Sequence, residues 1–162
     1  MIRLYLADEA ASQGLAAALA ASAPAPAVVY LHGDLGSGKS TLARAWLRAL
    51  GVTGTVRSPT YTLVERYPLA AGSEALHLDL YRIGGAAELE YLGLDDAGAC
   101  LWLVEWPERG AGGLPPADLH VHLGVAGSGR SARLDPASSR GRAWLDRLSL
   151  PADLRPLSEP EP

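Results

Sequence analysis

The residues best suited to chemistry form a glycine-rich stretch at positions 33–40, with the sequence G-D-L-G-S-G-K-S. This spacing fits G-x-x-x-x-G-K-[ST], with an apolar run at 28–31 before it and a helical pattern after it. Glycines let successive backbone N–H groups point into a phosphate, at the positive end of a helix dipole. We therefore predict that this stretch, which ends in Lys39 and Ser40, is a nucleoside triphosphate site.

Lys39 is the only lysine among 14 basic residues, the others being arginine. A compact ammonium on a thin stem reaches the β- and γ-phosphates, where a planar guanidinium is a poor steric substitute. The hydroxyl of Ser40 is expected to bind magnesium. The composition of the chain therefore agrees with a chemical role for this one lysine.

Two acidic residues stand at the ends of predicted strands. In the segment 75–80, His77 and Asp79 share one face while the leucines share the other. The apolar run 100–104 ends in Glu105, as expected of a carboxylate at the carboxyl end of a central strand. Either residue alone could be a solvated strand end, but with the glycine-rich loop the pair indicates magnesium chemistry.

Several other classes of protein are disfavoured. A guanine-specific element needs asparagine and a second lysine, and the chain has neither. The D-x-x-G at 95–98 has no apolar strand before it and is interpreted as a loop. A single cysteine excludes an intramolecular disulfide and a four-cysteine metal site. His120 and His122 would share a strand face, but two histidines without a third ligand indicate a metal only weakly, and His32 is expected to pack.

The charge and hydropathy of the chain limit where the protein is expected to be and what it is expected to bind. The net charge of −4 argues against autonomous nucleic-acid binding, which needs a basic surface. No apolar run approaches the roughly 18 residues of a membrane span. Asp8 and Glu9 interrupt the N-terminal apolar stretch, so it is not expected to be a secretory signal. The sequence thus predicts a cytoplasmic protein.

The elements that must position these residues are strands mixed with helices, and several of the strands have the spacing of hairpins. We predict a three-layer, P-loop NTPase-like α/β domain over residues 1–150, with a mixed, partly parallel sheet. A Pro- and Glu-rich tail, 151–162, is expected to be disordered. The predicted strands are 2–6, 28–31, 60–67, 75–80, 100–104, 118–125 and 130–135, and the predicted helices are 10–20 (capped by Asp8), the segment ending near Leu50, 86–92 and 138–148.

Four motifs occur in a specific order along the chain. The glycine-rich stretch is followed by S-P-T-Y-T-L-V at 58–64, H-L-D-L-Y-R at 77–82 and V-E-W-P at 104–107. This series resembles the bacterial tRNA threonylcarbamoyladenosine biosynthesis ATPases, the TsaE family. The resemblance covers roughly residues 8–148, and the last three motifs make it specific.

The resemblance implies a small P-loop fold that hydrolyses ATP with Mg²⁺. It also implies a role in assembling the enzyme complex that places threonylcarbamoyl on the adenosine beside the anticodon of ANN-decoding tRNAs. The family partners are TsaD and TsaB, and the acidic protein would reach tRNA mainly through them. The resemblance implies that the phosphates are held by Leu35, Gly36, Ser37, Gly38, Lys39 and Ser40, and that Ser40 and Glu105 bind magnesium. It implies a required carboxylate at Asp79, contact of Thr60 with the γ-phosphate or its water, and the aromatic of the E-W pair at Trp106. It also implies that Arg130 lies near the nucleotide and that Ser12 approaches adenine.

Two other functions remain open from the residues alone. Arg130, Arg133, Arg140 and Arg142 cluster in sequence, as the lid of a small-molecule kinase would require, although no acceptor domain is inserted between the site residues. The second alternative function is a nucleotide-gated assembly switch, in which hydrolysis is incidental. A kinase transfers phosphate to an acceptor, whereas a switch forms complexes that survive loss of hydrolysis.

Overall fold

The fold is described from a computed structural model, which covers residues 1–94, 98–154 and 156–157. Strands and helices are interspersed along this part of the chain. The strands are β1 (Ile2–Leu6), β2 (Ala27–His32), β3 (Val64–Pro68), β4 (Glu74–Asp79), β5 (Ala99–Glu105), β6 (Leu119–Ala126) and β7 (Gly129–Pro136). The α-helices are α1 (Glu9–Ser22), α2 (Lys39–Ala49) and α3 (Ser139–Asp146), and short 3₁₀ helices span Ala70–Gly72, Ala86–Leu92 and Pro107–Gly110.

The strands form a mixed sheet in the order β1-β7-β6-β2-β5-β4-β3. β2 runs parallel to β5 and β6, and β4 runs parallel to β5, while the outer pairs are antiparallel. The prediction of a mixed, partly parallel α/β sheet is therefore confirmed. Because parallel strands end at the same edge, the segments that follow β2, β4 and β5 meet there.

The three α-helices lie together against one face of the sheet. The indole rings of Trp46 on α2 and Trp144 on α3 are 5.8 Å apart, edge to face, within the main apolar cluster. On the opposite face, Leu76, Leu78 and Val104 belong to a second cluster that includes Leu89 of the 3₁₀ helix. The third layer is thus built from 3₁₀ segments rather than α-helices. Within the described residues, no helix combines the length and apolar character needed to cross a membrane.

The local predictions differ in detail from the structure. Asp8 caps α1 as expected, its carboxylate accepting the N–H of Ala11 at 2.9 Å. The segment predicted as a strand from residue 60 becomes one only at Val64, because Leu63 has φ = 68° and donates its N–H to Pro59. The acidic segment 86–92 is helical, but of the 3₁₀ type. The D-x-x-G motif includes residues 95–97, which lie outside the described residues.

Part of the segment predicted as a disordered tail packs against the domain. Leu154 is buried in the main apolar cluster, and Pro156 forms a β-bridge with Leu4. Leu157 donates its N–H to the carbonyl of Arg3 at 2.7 Å. These contacts extend the packed chain beyond the boundary expected at residue 150, because apolar side chains in the tail find space beside β1 and α1. Residues 155 and 158–162 lie outside the described residues.

Gly141→Ala is expected to lower the free energy of unfolding by about 1–3 kcal/mol, the usual cost of overpacking. A Cβ at Gly141 would overlap the carbonyl oxygen of Asp118, whose carboxylate holds the start of β2 through the N–H of Val28 and accepts from Ser138 at 2.7 Å. Gly14→Ala in α1 is the matched control, since its Cβ would meet nothing closer than 3.4 Å. It should stabilise by up to about 1 kcal/mol. Urea denaturation measures both, and equal stability of the two variants would contradict the packing argument.

Candidate functional site

The glycine-rich loop, residues 33–38, connects the end of β2 to the start of α2. Gly36 and Gly38 have φ of 81° and 103°, which side-chain-bearing residues rarely adopt. At Gly33, φ is 150° and a Cβ would meet Ser37 Oγ and the Leu123 carbonyl. Gly38 is the N-cap of α2 and carries no capping side chain, so the first N–H groups of the helix are available to an anion.

Lys39 is only 5% exposed and its ammonium lies inside this loop. Its Nζ donates to the carbonyl of Gly33 and lies 3.4 Å from that of Asp34. The same atom is 4.3 Å from the centroid of the Trp106 ring. Burial lowers the pKa of Lys39, and the nearby carboxylates, Glu105 foremost, oppose that shift. The loop's own carbonyls therefore hold the cation where phosphate oxygens could replace them.

Asp79 and Glu105 lie side by side at the ends of β4 and β5, where they are paired in register. Glu105 is 2% exposed, and its Oε1 is 3.4 Å from the hydroxyl of Ser40. Asp79 accepts from the hydroxyl of Thr60 at 3.2 Å and from the N–H of Tyr81 at 3.0 Å. The two carboxylates thus face different partners. Glu105 faces the start of α2, whereas Asp79 faces the segment that contains Thr60.

His77 is a site residue whose contact the sequence did not predict. Its Nε2 lies 2.6 Å from Oε2 of Glu105, and both side chains are buried. Because a carboxylate only accepts, this geometry assigns the proton to Nε2 of the imidazole. Its Nδ1 has no hydrogen-bond partner among the described residues. The alternation of His77 and Asp79 along one strand was the available signal, but only the pairing of β4 with β5 identifies Glu105 as the partner.

The segment 58–62 covers one side of the site as a turn. Thr60 and Ser58 share a hydroxyl–hydroxyl hydrogen bond of 2.8 Å, which orients Thr60 towards Asp79. Tyr61 is 81% exposed, and the guanidinium of Arg82 lies 4.8 Å from its ring centroid. This segment is therefore anchored at Thr60 and open to solvent one residue later.

Trp106 has a left-handed backbone conformation, φ = 55° and ψ = 50°, directly after Glu105. Such a conformation costs a residue other than glycine of the order of 1–3 kcal/mol and must be held by its surroundings. Here the ring of Tyr81 lies 5.0 Å away and the guanidinium of Arg109 lies 5.7 Å away. The strained backbone directs the indole over Lys39.

A cavity of about 260 Å³, here called the loop cavity, brings these groups together. It is lined by all the residues that the sequence analysis assigned to the site except Ser12, together with Asp34 and Thr41. The assigned residues are Leu35, Gly36, Ser37, Gly38, Lys39, Ser40, Thr60, Asp79, Glu105, Trp106 and Arg130. A second cavity of about 240 Å³ shares Gly38, Thr41 and Arg130 with the first and is also lined by Ser12.

The arginines that could have formed a lid do not act together. Arg130 lines the loop cavity, while Arg133, on the same strand, binds Asp135 at 2.9 Å. Arg140 and Arg142 belong to α3, and Arg140 donates to the carbonyl of Pro26. The cluster in sequence is therefore divided between a strand and a helix.

Comparisons with known proteins give the family. A family model described as "Threonylcarbamoyl adenosine biosynthesis protein TsaE" matches residues 6–132. The tRNA threonylcarbamoyladenosine biosynthesis protein TsaE of Haemophilus influenzae is 44% identical over 124 residues, which cover 75% of this chain and 78% of that protein. The TsaE protein of Bacillus subtilis is 36% identical over 125 residues, covering 72% and 73%. The crystal structure of Bacillus subtilis YdiB superposes with a TM-score of 0.71 at 26% identity, covering 90% of this chain and 94% of that chain.

Fold and site together define the class, an α/β protein with a glycine-rich strand-to-helix loop facing two strand-end carboxylates. Within that class, the chain belongs to the TsaE family. The resemblance predicted from the four motifs is thereby confirmed, and so is the fold class. The relatives are named for tRNA threonylcarbamoyladenosine biosynthesis.

Proposed function

We propose that this chain binds ATP with Mg²⁺ in the loop cavity, hydrolyses the ATP, and so serves tRNA threonylcarbamoyladenosine biosynthesis together with TsaD and TsaB homologues. One observation carries the proposal. A single cavity joins uncapped helix N–H groups, the buried Lys39 ammonium and two carboxylates on adjacent strand ends. Phosphoryl transfer depends on placing such charges around phosphate, magnesium and water.

The glycine-rich loop supports the phosphate part of the proposal. Its N–H groups and the N-terminus of α2 would receive phosphate oxygens. Lys39 would exchange its contacts with the carbonyls of Gly33 and Asp34 for the β- and γ-phosphates. Arg130, whose side chain lies beside Gly38 and lines the same cavity, would add a second cation.

Ser40 and Glu105 suit a magnesium ion, because hydroxyl and carboxylate oxygens are the ligands that this hard cation prefers. Their oxygens are already 3.4 Å apart. His77 donates to the other oxygen of Glu105 and so orients the carboxylate, as outer-shell partners do. When bound, the ion would neutralise charge that develops on the β- and γ-phosphates.

Asp79 and Thr60 suit the placement of the attacking water. Their hydrogen bond links the segment 58–62 to the strand that carries Asp79. A carboxylate in this position would accept a hydrogen bond from water and hold it in line with the γ-phosphate. The adjoining cavity, with Ser12 on its wall, is the space available to the nucleoside.

The partners would act on the exposed side of this site. Leu35 and Tyr61 are exposed apolar residues on the glycine-rich loop and the segment 58–62. A net charge of −4 suits a protein that reaches tRNA through other subunits. The role in tRNA modification implies a cytoplasmic protein.

The isolated protein is expected to hydrolyse ATP slowly, and the TsaD–TsaB pair is expected to accelerate it by about 10³-fold or more, as groups supplied in trans do. Thr60 links the segment 58–62 to Asp79, whereas Tyr61 beside it is exposed, so a docked partner can complete the position of the segment. Steady-state phosphate release, alone and with the pair, measures the effect. A fast basal rate that the pair leaves unchanged, or equal binding of the pair in ATP and ADP, would overturn the proposal.

Trp106→Ala tests the coupling in the same assay. It should bind ATP normally but lose most of the stimulation, because the indole lies between Lys39 and the Tyr81 ring. Trp106→Phe, which keeps an aromatic ring, is the matched control and should retain stimulation. Loss of folding in Trp106→Ala would instead assign the residue to packing.

Following the phosphate and the complexes in these assays also distinguishes the proposed ATPase from a small-molecule kinase and from a nucleotide-gated assembly switch. Label from [γ-³²P]ATP that appears in a small acceptor rather than in inorganic phosphate would identify a kinase. Complexes that form normally with ATP in a hydrolysis-deficient variant, and still support tRNA modification, would identify an assembly switch. We expect the phosphate of ATP to be released as inorganic phosphate, and we expect tRNA modification to require this release.

A further inference from the structure

Three histidines meet on the face of the sheet that the α-helices leave uncovered. The parallel pairing of β2 with β6 sets His32 opposite His122 and Tyr30 opposite His120. The Nε2 of His32 lies 2.8 Å from Nδ1 of His120, and the ring of His122 stacks on that of His32 with centroids 4.5 Å apart. One nitrogen from each ring falls within 4.8 Å of the other two.

This spacing is close to what a metal ion needs. With zinc–nitrogen bonds of 2.0–2.1 Å, tetrahedral ligands are about 3.3 Å apart. The nitrogens of His32 and His120 are already 2.8 Å apart, and the strands hold the backbones of all three histidines side by side. We propose that His32, His120 and His122 form a binding site for a borderline transition metal ion, zinc foremost, which is separate from the loop cavity.

The surroundings favour coordination over protonation. Burial foremost, together with the repulsion that a protonated His122 or His120 would exert, lowers the pKa of His32 to about 4, and burial lowers the pKa of the other two histidines. The rings are therefore neutral at pH 7, the form in which imidazole binds metal. Three neutral imidazoles suit zinc, copper and nickel, whereas magnesium and calcium prefer oxygen.

Asp135 supplies the counter-charge. In the β6–β7 register it lies opposite His120, and its Oδ2 is 3.5 Å from Nε2 of His122. The same oxygen accepts from Arg133 at 2.9 Å, so Asp135 also neutralises that guanidinium. A carboxylate beside a histidine ligand is the usual outer-shell partner of zinc and could also occupy its fourth position.

Zinc titration of the untagged protein, followed by imidazole ¹H–¹⁵N spectra, tests the site directly. The chain contains four histidines, and the fourth, His77, contacts Glu105, which lines the loop cavity. With MgCl₂ in excess, one equivalent of Zn²⁺ should shift the signals of His32, His120 and His122 and leave those of His77 in place. No shift, or a shift of His77 alone, would overturn the proposal.

Variants then assign the ligands. His120→Gln and His122→Gln should each weaken Zn²⁺ binding by at least about 100-fold, the upper end of what loss of an outer-shell partner costs. Both retain a polar side chain at a half-buried position, and His122 lies at the rim of the cluster. Arg133→Gln is the matched control and should bind at least as tightly as the original protein. Zn²⁺ should raise the melting temperature of the control but not of the histidine variants. Undiminished binding in both histidine variants would overturn the assignment.

Discussion

Lys39→Ala is expected to abolish measurable ATP hydrolysis, a loss of at least about 100-fold, as when a preorganised donor to a transition state is removed. Lys39 is the only lysine of the chain, and its ammonium is buried in the glycine-rich loop. ATP affinity should fall by about 10- to 100-fold, since hydrogen bonds to charged groups contribute about 1.5–3 kcal/mol each. Calorimetry gives the affinity and phosphate release gives the rate.

Two controls sharpen the Lys39 experiment. Arg44→Ala removes a positive charge from an exposed position on the same helix, outside the loop cavity, and should leave both quantities unchanged. Lys39→Arg keeps the charge but should not restore hydrolysis, because the guanidinium cannot enter between the Gly33 carbonyl and the Trp106 ring. Hydrolysis by Lys39→Ala at the original rate would refute the proposed phosphate site.

Asp79→Asn and Glu105→Gln are expected to fail in different ways. Glu105→Gln should lose the magnesium dependence of nucleotide binding, because a neutral amide is a poorer ligand for a hard cation and Glu105 is the carboxylate beside Ser40. Asp79→Asn should keep most of its ATP affinity but hydrolyse at least about 100-fold more slowly, since its contact is with Thr60 rather than Ser40.

Calorimetry with and without MgCl₂, combined with phosphate release, distinguishes the two carboxylates. The side-chain amide oxygen introduced by Glu105→Gln can still accept from His77, so this variant should fold. Thr60→Val is the matched control for Asp79→Asn, because it removes the hydroxyl that donates to Asp79 and leaves the carboxylate in place. If Asp79→Asn lost magnesium-dependent ATP binding and Glu105→Gln kept it, the roles assigned to the two carboxylates would be reversed.

Much of the site could be predicted from the sequence because its signals are local. The spacing of glycines, Lys39 and Ser40 lies within eight residues, and the run that ends in Glu105 indicates a strand end without any knowledge of its neighbours. The alternation along β4 likewise set the leucines and Asp79 on opposite faces, as the structure has them. Four such motifs in order also identified the family.

What depends on strand pairing could not be read from the sequence. His77 meets Glu105, 28 residues away, only because β4 lies beside β5, and His32 meets His120, 88 residues away, only because β2 lies beside β6. The sequence therefore showed a histidine pair without a third ligand, and the sheet supplies the third. Side-chain type and short-range spacing determined the loop and its carboxylates, whereas contacts between distant strands are decided by sheet order and register, which only the packing of the whole core selects.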